Sequence, residues 1–330
     1  MNVIRCYPTL AWGKGKECTF AGALEAAMAV TDHTYTYTDI MGLTALAFRT
    51  RWFTGNKQDR WCGSCAVGEM EEEIEAAAKA TGWELRIAVH PDIEKLTPEI
   101  IASIDAGKPI PAYDDSLDMA VMYGYGKGAK TFLFRNYHKG DKPHELPVSK
   151  AGWLWIFLGD HTEPLAPREA TAEALKMVVH NWKREKGREG PGWYWYGRAA
   201  LKVWSEDLAE VDSFTQEQRE KLLFVSWWNF YAMIDARRQA VPFLRERASL
   251  FTDSAREAID RAASLYRQEV DFINSDEFTR NDCFLSPGSG KGIDAWSAEV
   301  RARERKLLTK AAEYESAAVA EIEKALAAMK

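Results

Sequence analysis

The sequence predicts an α+β fold in which a mixed domain over residues 1–165 is followed by an all-helical domain over residues 166–330. Two observations carry that reading. Between Trp83 and Gly159, five apolar runs of strand length are separated by turns and one short helix, the pattern of an antiparallel sheet. From Pro167 onward the apolar positions recur at helical spacing, with almost no strand signal. Composition agrees: 330 residues, 46% hydrophobic and 28% charged, suffice for two buried cores and argue against a disordered chain.

Taken in order, residues 2–6 read as a short strand. The small, helix-favouring run Ala21, Ala23, Leu24, Ala26, Ala27, Met28 reads as the first helix. Thr38 and Asp39 are placed to cap a second, "TDIMGLTALAF". "FRTRWF" alternates like a strand end and 54–60 is a polar loop. A helix with an acidic first half follows "WCGSC", and "WELRIAV" alternates as a strand. Thr97, Pro98 and Gly107 have the positions of an N-cap, a first-turn proline and a C-terminal glycine. "KPIPAY", "DMAVMYGYG", "KTFLFRNY" and "WLWIFLG" are strands, the middle pair joined by the tight turn "KGAK". In the second domain "GWYWYGRAALKVWSED" reads as one helix. Thr215 with Gln218 forms a capping box for a long helix that Pro242 is expected to kink or divide. A long terminal helix spans Asp294 to Met329, its charges a solvated face with i,i+4 pairs.

A net charge of −6, with acids and bases interspersed, argues against a nucleic-acid partner. The odd count of five cysteines does not look like a disulfide framework. "MNVIRCYPTL" has no apolar core of a secretory signal, and no apolar run approaches the roughly 18 residues of a membrane span. The expectation is a soluble cytoplasmic protein with no membrane partner.

The stretch "WGKGKECTFAGALEAAMAV" holds the first chemical candidate. Cys18 falls at the start of the first helix, where unpaired amides and the positive end of the helix dipole favour a thiolate. A thiolate attacks carbonyl carbon, and amides at Cys18 and its neighbours would then form an oxyanion hole. The plainer alternative is a small buried apolar residue.

"DMAVMYGYGKGAKTFLFRNYHKGD" holds the second. It resembles the C-terminal sheet of papain-like cysteine enzymes, in which a histidine opens a strand ending in Gly-Tyr and a following strand leads to an Asn or Asp. Here Gly124-Tyr125 and Asn136 occupy matching places, which implies that Asn136 orients the base. Asp118 stands where that histidine belongs, and a carboxylate beside a thiol disfavours the thiolate. His138 is then the nearest base in sequence, with His90 and His33 as alternatives.

The run "ECTFAGALEAAMAVTDHTYTYTDIMGLTALAFR" also resembles the butirosin-biosynthesis acyltransferase N-terminal domain family. The resemblance covers roughly residues 1–160. It implies a papain-like domain that transfers an acyl group through a cysteine, from a carrier protein in the type member. Two positions depart from the pattern: Glu17, where a His often precedes the Cys, and Asp118.

Three readings follow. One is a cysteine-dependent acyl transferase, or an amide or thioester hydrolase, acting on a small-molecule, peptidyl or carrier-borne substrate. The second is a binding protein on the same scaffold, its base lost. In the third, Cys62 and Cys65 of "WCGSC" act as a thiol–disulfide pair, although the polar "TGNKQDR" before them is not the buried strand such a motif needs. A structural pair is the plainer reading, and zinc there would need two further ligands that no second pair supplies. No cofactor or metal is expected. Trp12, Trp228 and Tyr231 are candidate substrate contacts, the last two on the aromatic helix "WWNFYAMIDARR", for which core packing is the alternative.

Overall fold

The computed structural model describes residues 2–4, 9–53, 70–116, 118–140, 142–187, 194–275, 278, 283–286 and 289–329. In chain order the elements are β1 (Asn2–Val3), α1 (Thr19–Met28), α2 (Tyr37–Leu43), β2 (Arg51–Phe53), α3 (Glu71–Thr81), β3 (Trp83–Val89), α4 (Ile93–Asp105), β4 (Ile110–Tyr113), β5 (Met119–Tyr125), β6 (Thr131–Arg135), β7 (His144–Pro147) and β8 (Leu154–His161). Then come α5 (Pro167–Lys183), β9 (Tyr194–Tyr196), α6 (Gly197–Ala209), α7 (Gln216–Ala248), α8 (Asp253–Ile273) and α9 (Ala298–Ala328). The α+β class is as expected. The chain divides into two units, 1–43 with 71–166, and 44–70 with 167–330. The described residues 44–53, expected in the first domain, group with the second unit.

In the first unit a seven-stranded sheet runs β3-β8-β4-β5-β6-β7, with β1 added against β5, and every pairing is antiparallel. The centre of β5 is buried on both faces and reads as an unbroken apolar run. Ala120 and Met122 share a core with Leu96, Ile100 and Ile104 of α4. By alternation Met119, Val121 and Tyr123 point to the other face, where α1 packs on β4 and β5. All ten residues of α1 are buried, and its Gly and Ala positions let backbone approach backbone.

Several boundaries differ from expectation, each for a tertiary reason. The cap of α2 is Thr36, in a reciprocal box with Asp39: Asp39 N–H donates to Thr36 Oγ1 at 3.1 Å and Thr36 N–H to Asp39 Oδ2 at 3.1 Å. This helix stops at Leu43; Ala45 is left-handed and a separate 3₁₀ turn covers Leu46–Phe48. Asp92, not Thr97, caps α4, because starting there places Leu96 in line with Ile100 and Ile104; Pro98 then lies inside the helix. The start of the helix expected from Gly192 is instead strand β9, paired with β2, with Tyr194 and Tyr196 buried at period two, and the helix begins at Gly197. The capping box at Thr215 and Gln218 is present, and α7 runs unbroken through Pro242.

In the second unit α7, α8 and α9 enclose a fully buried charge group. The Arg237 guanidinium donates to Glu315 Oε1 at 2.7 Å, to Thr50 Oγ1 at 2.7 Å and to the Ala47 carbonyl at 3.1 Å. Glu269 Oε1 lies 3.8 Å from Arg237 Nε, and neither oxygen of Glu269 receives a hydrogen bond from the described groups. Burial first, and the Glu315 charge second, push Glu269 well above the ordinary carboxylate range. The protonated form of Glu269 is thereby favoured beside the Glu315 charge.

A carboxyl raised in the folded state keeps a proton that the unfolded chain releases, so stability falls as pH rises above the ordinary carboxylate range. Replacing Glu269 by Gln makes the neutral form permanent. Thermal unfolding of Glu269→Gln should show a gain of about 1–2 kcal/mol at pH 8 and little change at pH 4. Glu315→Gln leaves Arg237 without its close counter-charge and should lose about 3–5 kcal/mol at either neutral or alkaline pH.

Candidate active site

The site is built where α1 begins. Gly13 and Gly15, both left-handed, turn the chain so that their N–H groups each donate to the Glu17 carboxylate at 3.2 Å. What looked in sequence like a flexible approach is a loop wound on a buried acid, Glu17 being 4% exposed. Cys18 follows as the N-cap residue, extended in backbone, with no capping bond from its side chain. Its carbonyl accepts the first helical bond, from Gly22 N–H at 3.0 Å. The residue is 5% exposed.

The Cys18 N–H donates to the Tyr37 hydroxyl at 2.8 Å. That amide, an expected oxyanion donor, is engaged by the phenol of buried Tyr37, whose backbone N–H donates to Glu25 Oε1 at 3.0 Å. Lys16 closes the group with an ion pair to Glu25 Oε2 at 2.5 Å. The first-turn amides after Cys18 have no carbonyl within the helix to bond.

The head of β5 is fastened to the same point: Met119 N–H donates to Thr19 Oγ1 at 3.2 Å. Asp118, one residue earlier, meets His138, with Asp118 Oδ2 2.7 Å from His138 Nε2. Burial raises the Asp118 pKa above the ordinary range and the Asp114 charge adds to this, against the pull of His138. Carboxylate and imidazole are thus paired, with the carboxylate just ahead of β5, at the position where a histidine was expected.

The loop after β6 holds His138 in place. Asn136 is 2% exposed. Its Oδ1 accepts from the N–H groups of His138 at 3.1 Å and Lys139 at 2.9 Å, and its Nδ2 donates to Asp114 Oδ2 at 2.6 Å. The side chain expected to orient an imidazole instead shapes the turn that carries one. Tyr137 lies between them, its ring 4.6 Å from that of Trp12, which also meets His138 edge-on at 6.1 Å. Trp12, Tyr137, His138 and Asp118 therefore form one group. The alternative bases are elsewhere in the unit: His33 stacks on His161 at 3.4 Å, and His90 stacks on Trp153 at 5.3 Å. Trp228 and Tyr231 lie on α7 of the second unit, in an aromatic row with Phe224 and Trp227. Cys62 and Cys65 lie outside the described residues.

Beside this group is a set that sequence reasoning missed. His144 Nε2 is 2.7 Å from Asp115 Oδ1, and its Nδ1 is 2.6 Å from Lys139 Nζ. Hydrogen bonding to His144 holds the Asp115 carboxyl below its usual range. Asp114, Asp115 and His144 bring donor atoms within 4.8 Å of one another. The available signal was "YDDSLD", three acids in five residues just before a strand. Comparison with protein-family models and with curated proteins found no match to the chain.

Gly22 is the second signal passed over, the one non-Cβ residue in a run of helix formers. A Cβ built there would fall 1.9 Å from Tyr137 Oη and 3.2 Å from Cζ. An unobstructed helical Gly→Ala change stabilises by about 1 kcal/mol. Gly22→Ala should instead destabilise by about 1–3 kcal/mol in thermal unfolding, because the buried Tyr137 ring, packed against Trp12, must shift to admit the methyl group. Adding Tyr137→Phe, which removes the closest atom, should recover most of the loss.

Proposed function

We propose that the chain is a thiol-dependent acyl-transfer enzyme of papain-like type, with Cys18 as nucleophile, His138 as base and Asp118 as the group that orients the base. The supporting observation is the 2.7 Å contact between His138 Nε2 and Asp118 Oδ2, next to the residue whose amide is tied to Thr19. In this reading imidazole and acid have exchanged the strands they occupy in the papain-like pattern. Asp118 engages Nε2, so Nδ1 is the ring atom that takes the thiol proton. The thiolate attacks an acyl carbonyl, and first-turn amides of α1 receive the oxyanion. His138 then protonates the leaving group, leaving an acyl thioester on Cys18. An amine or a water, deprotonated by His138, attacks that thioester and releases the product with the thiol restored. The substrate class is an ester, amide or thioester, carrier-borne substrates included.

A second reading, a ligand-binding protein without turnover, draws on the burial of Cys18 and the engagement of its amide by Tyr37. Alkylation separates the two. Under the enzyme reading, iodoacetamide labels Cys18 at pH 6.5 at least tenfold faster than it labels free cysteine, as followed by peptide mass spectrometry. His138→Ala should remove that advantage and Asp118→Asn should reduce it. Labelling no faster than free cysteine, and indifferent to His138→Ala, favours the binding protein.

A further inference from the structure

The loop after β4 and the loop between β6 and β7 meet over the Asp114, Asp115 and His144 set, which acyl transfer does not use. His144 is buried, at the head of β7. Its Nε2 lies 2.7 Å from Asp115 Oδ1 and 4.0 Å from Asp114 Oδ2. The Asp114 side chain is fully buried, and its hydrogen bonds come from neutral donors, Asn136 Nδ2 at 2.6 Å and Ser116 N–H at 2.8 Å. Among the described residues no lysine or arginine pairs with it. The ammonium of Lys139 is close by, but at His144 Nδ1. A buried carboxylate without a cation is unfavourable unless a counter-charge arrives.

We infer that Asp114, Asp115 and His144 bind one divalent first-row transition-metal ion of the Zn2+ or Mn2+ kind, with water completing its shell. Two carboxylate oxygens and an imidazole nitrogen are a donor set for such ions, while Mg2+ and Ca2+ prefer all-oxygen sites. Atoms bound to one ion at about 2.1 Å lie about 3–4 Å apart. The His144–Asp114 spacing already fits, and the His144–Asp115 contact opens by a few tenths of an ångström as the ion replaces its hydrogen bond.

Lys139 makes the inference specific. An ammonium only donates, so without metal Nδ1 of His144 accepts and Nε2 carries the proton toward Asp115. An ion on Nε2 reverses this tautomer, and Nδ1–H then faces the ammonium. Lys139 is exposed and its side chain can turn away. A carboxylate at that position would accept Nδ1–H, the outer-shell arrangement that strengthens histidine ligation.

The test is calorimetric titration of Zn2+ into chelator-stripped full-length protein, with Co2+ absorption as a second readout. One ion per chain is expected. Asp115→Asn, at an exposed position, and His144→Ala, checked for folding by circular dichroism, should each weaken binding by about 100-fold. Lys139→Glu should tighten it by about tenfold. The Co2+ spectrum should show weak visible bands without thiolate charge transfer. Zn2+ affinity unchanged in both ligand variants, a thiolate band from cysteine ligation, or weaker binding in Lys139→Glu overturns the inference. None of these readouts depends on the thiol chemistry.

Discussion

One hydrogen bond sets the geometry on which the candidate site depends: the Met119 amide donates to the hydroxyl of Thr19. It joins residues a hundred positions apart, and it acts at the end of each element that matters. Thr19 is the first residue of α1, just past Cys18, and Met119 is the first of β5, just past Asp118. Further along α1, Glu25 adds bonds to the Tyr37 N–H and to Lys16, and the apolar positions of the helix are held by packing. A helix buried at every position can slide or rotate among nearly equivalent apolar contacts, whereas a directed polar contact in the interior fixes one register. With that register set, Gly22 falls under Tyr137, and the loop bearing His138 settles against Trp12.

Electrostatics at this point is a contest between effects of similar size. The start of α1 favours negative charge by about 0.3–1 kcal/mol at a partly exposed site. Two acids, buried Glu17 and half-buried Asp118, act against a further anion there. Glu17 is compensated by the two glycine amides wrapped on it. Asp118 is compensated by His138, and a burial-raised carboxyl lends itself to sharing a proton with an imidazole. Under the proposed mechanism, when His138 takes up the thiol proton the imidazolium forms in contact with a carboxylate, and that interaction strengthens as the thiolate appears. The acid that looks misplaced in the sequence is, in this arrangement, what stabilises the charged base.

Much of the sheet was legible because its strands are apolar runs whose period and turns are local properties. The errors have a common cause. The Asp92 cap, the strand at Tyr194–Tyr196 and the assignment of residues 44–53 to the second unit are decided by what lies across from them: Leu96 with Ile100 and Ile104, β2 against β9, and Arg237 holding the Ala47 carbonyl and Thr50 hydroxyl. The site divides the same way. Cys18 is a candidate from the helix start, and Asp118 and His138 are candidates from the papain-like resemblance of their strands. Tyr37 under the Cys18 amide, Tyr137 over Gly22, and Asn136 serving Asp114 rather than an imidazole exist only through contacts across the fold. His144 gave no sign in sequence, because its neighbours Asp114 and Asp115 are about thirty residues away in the chain, with β5 and β6 intervening.

The most direct test of the paired site is whether His138 and Cys18 titrate as partners. His138 can be followed by nuclear magnetic resonance of its imidazole in the wild type and in Cys18→Ala. If the thiolate and imidazolium stabilise each other, removing the sulfur lowers the apparent pKa of His138 by more than one unit. Superimposable titration curves in the two proteins would show that the sulfur and the imidazole do not share a proton, and would contradict the assignment of His138 as the base.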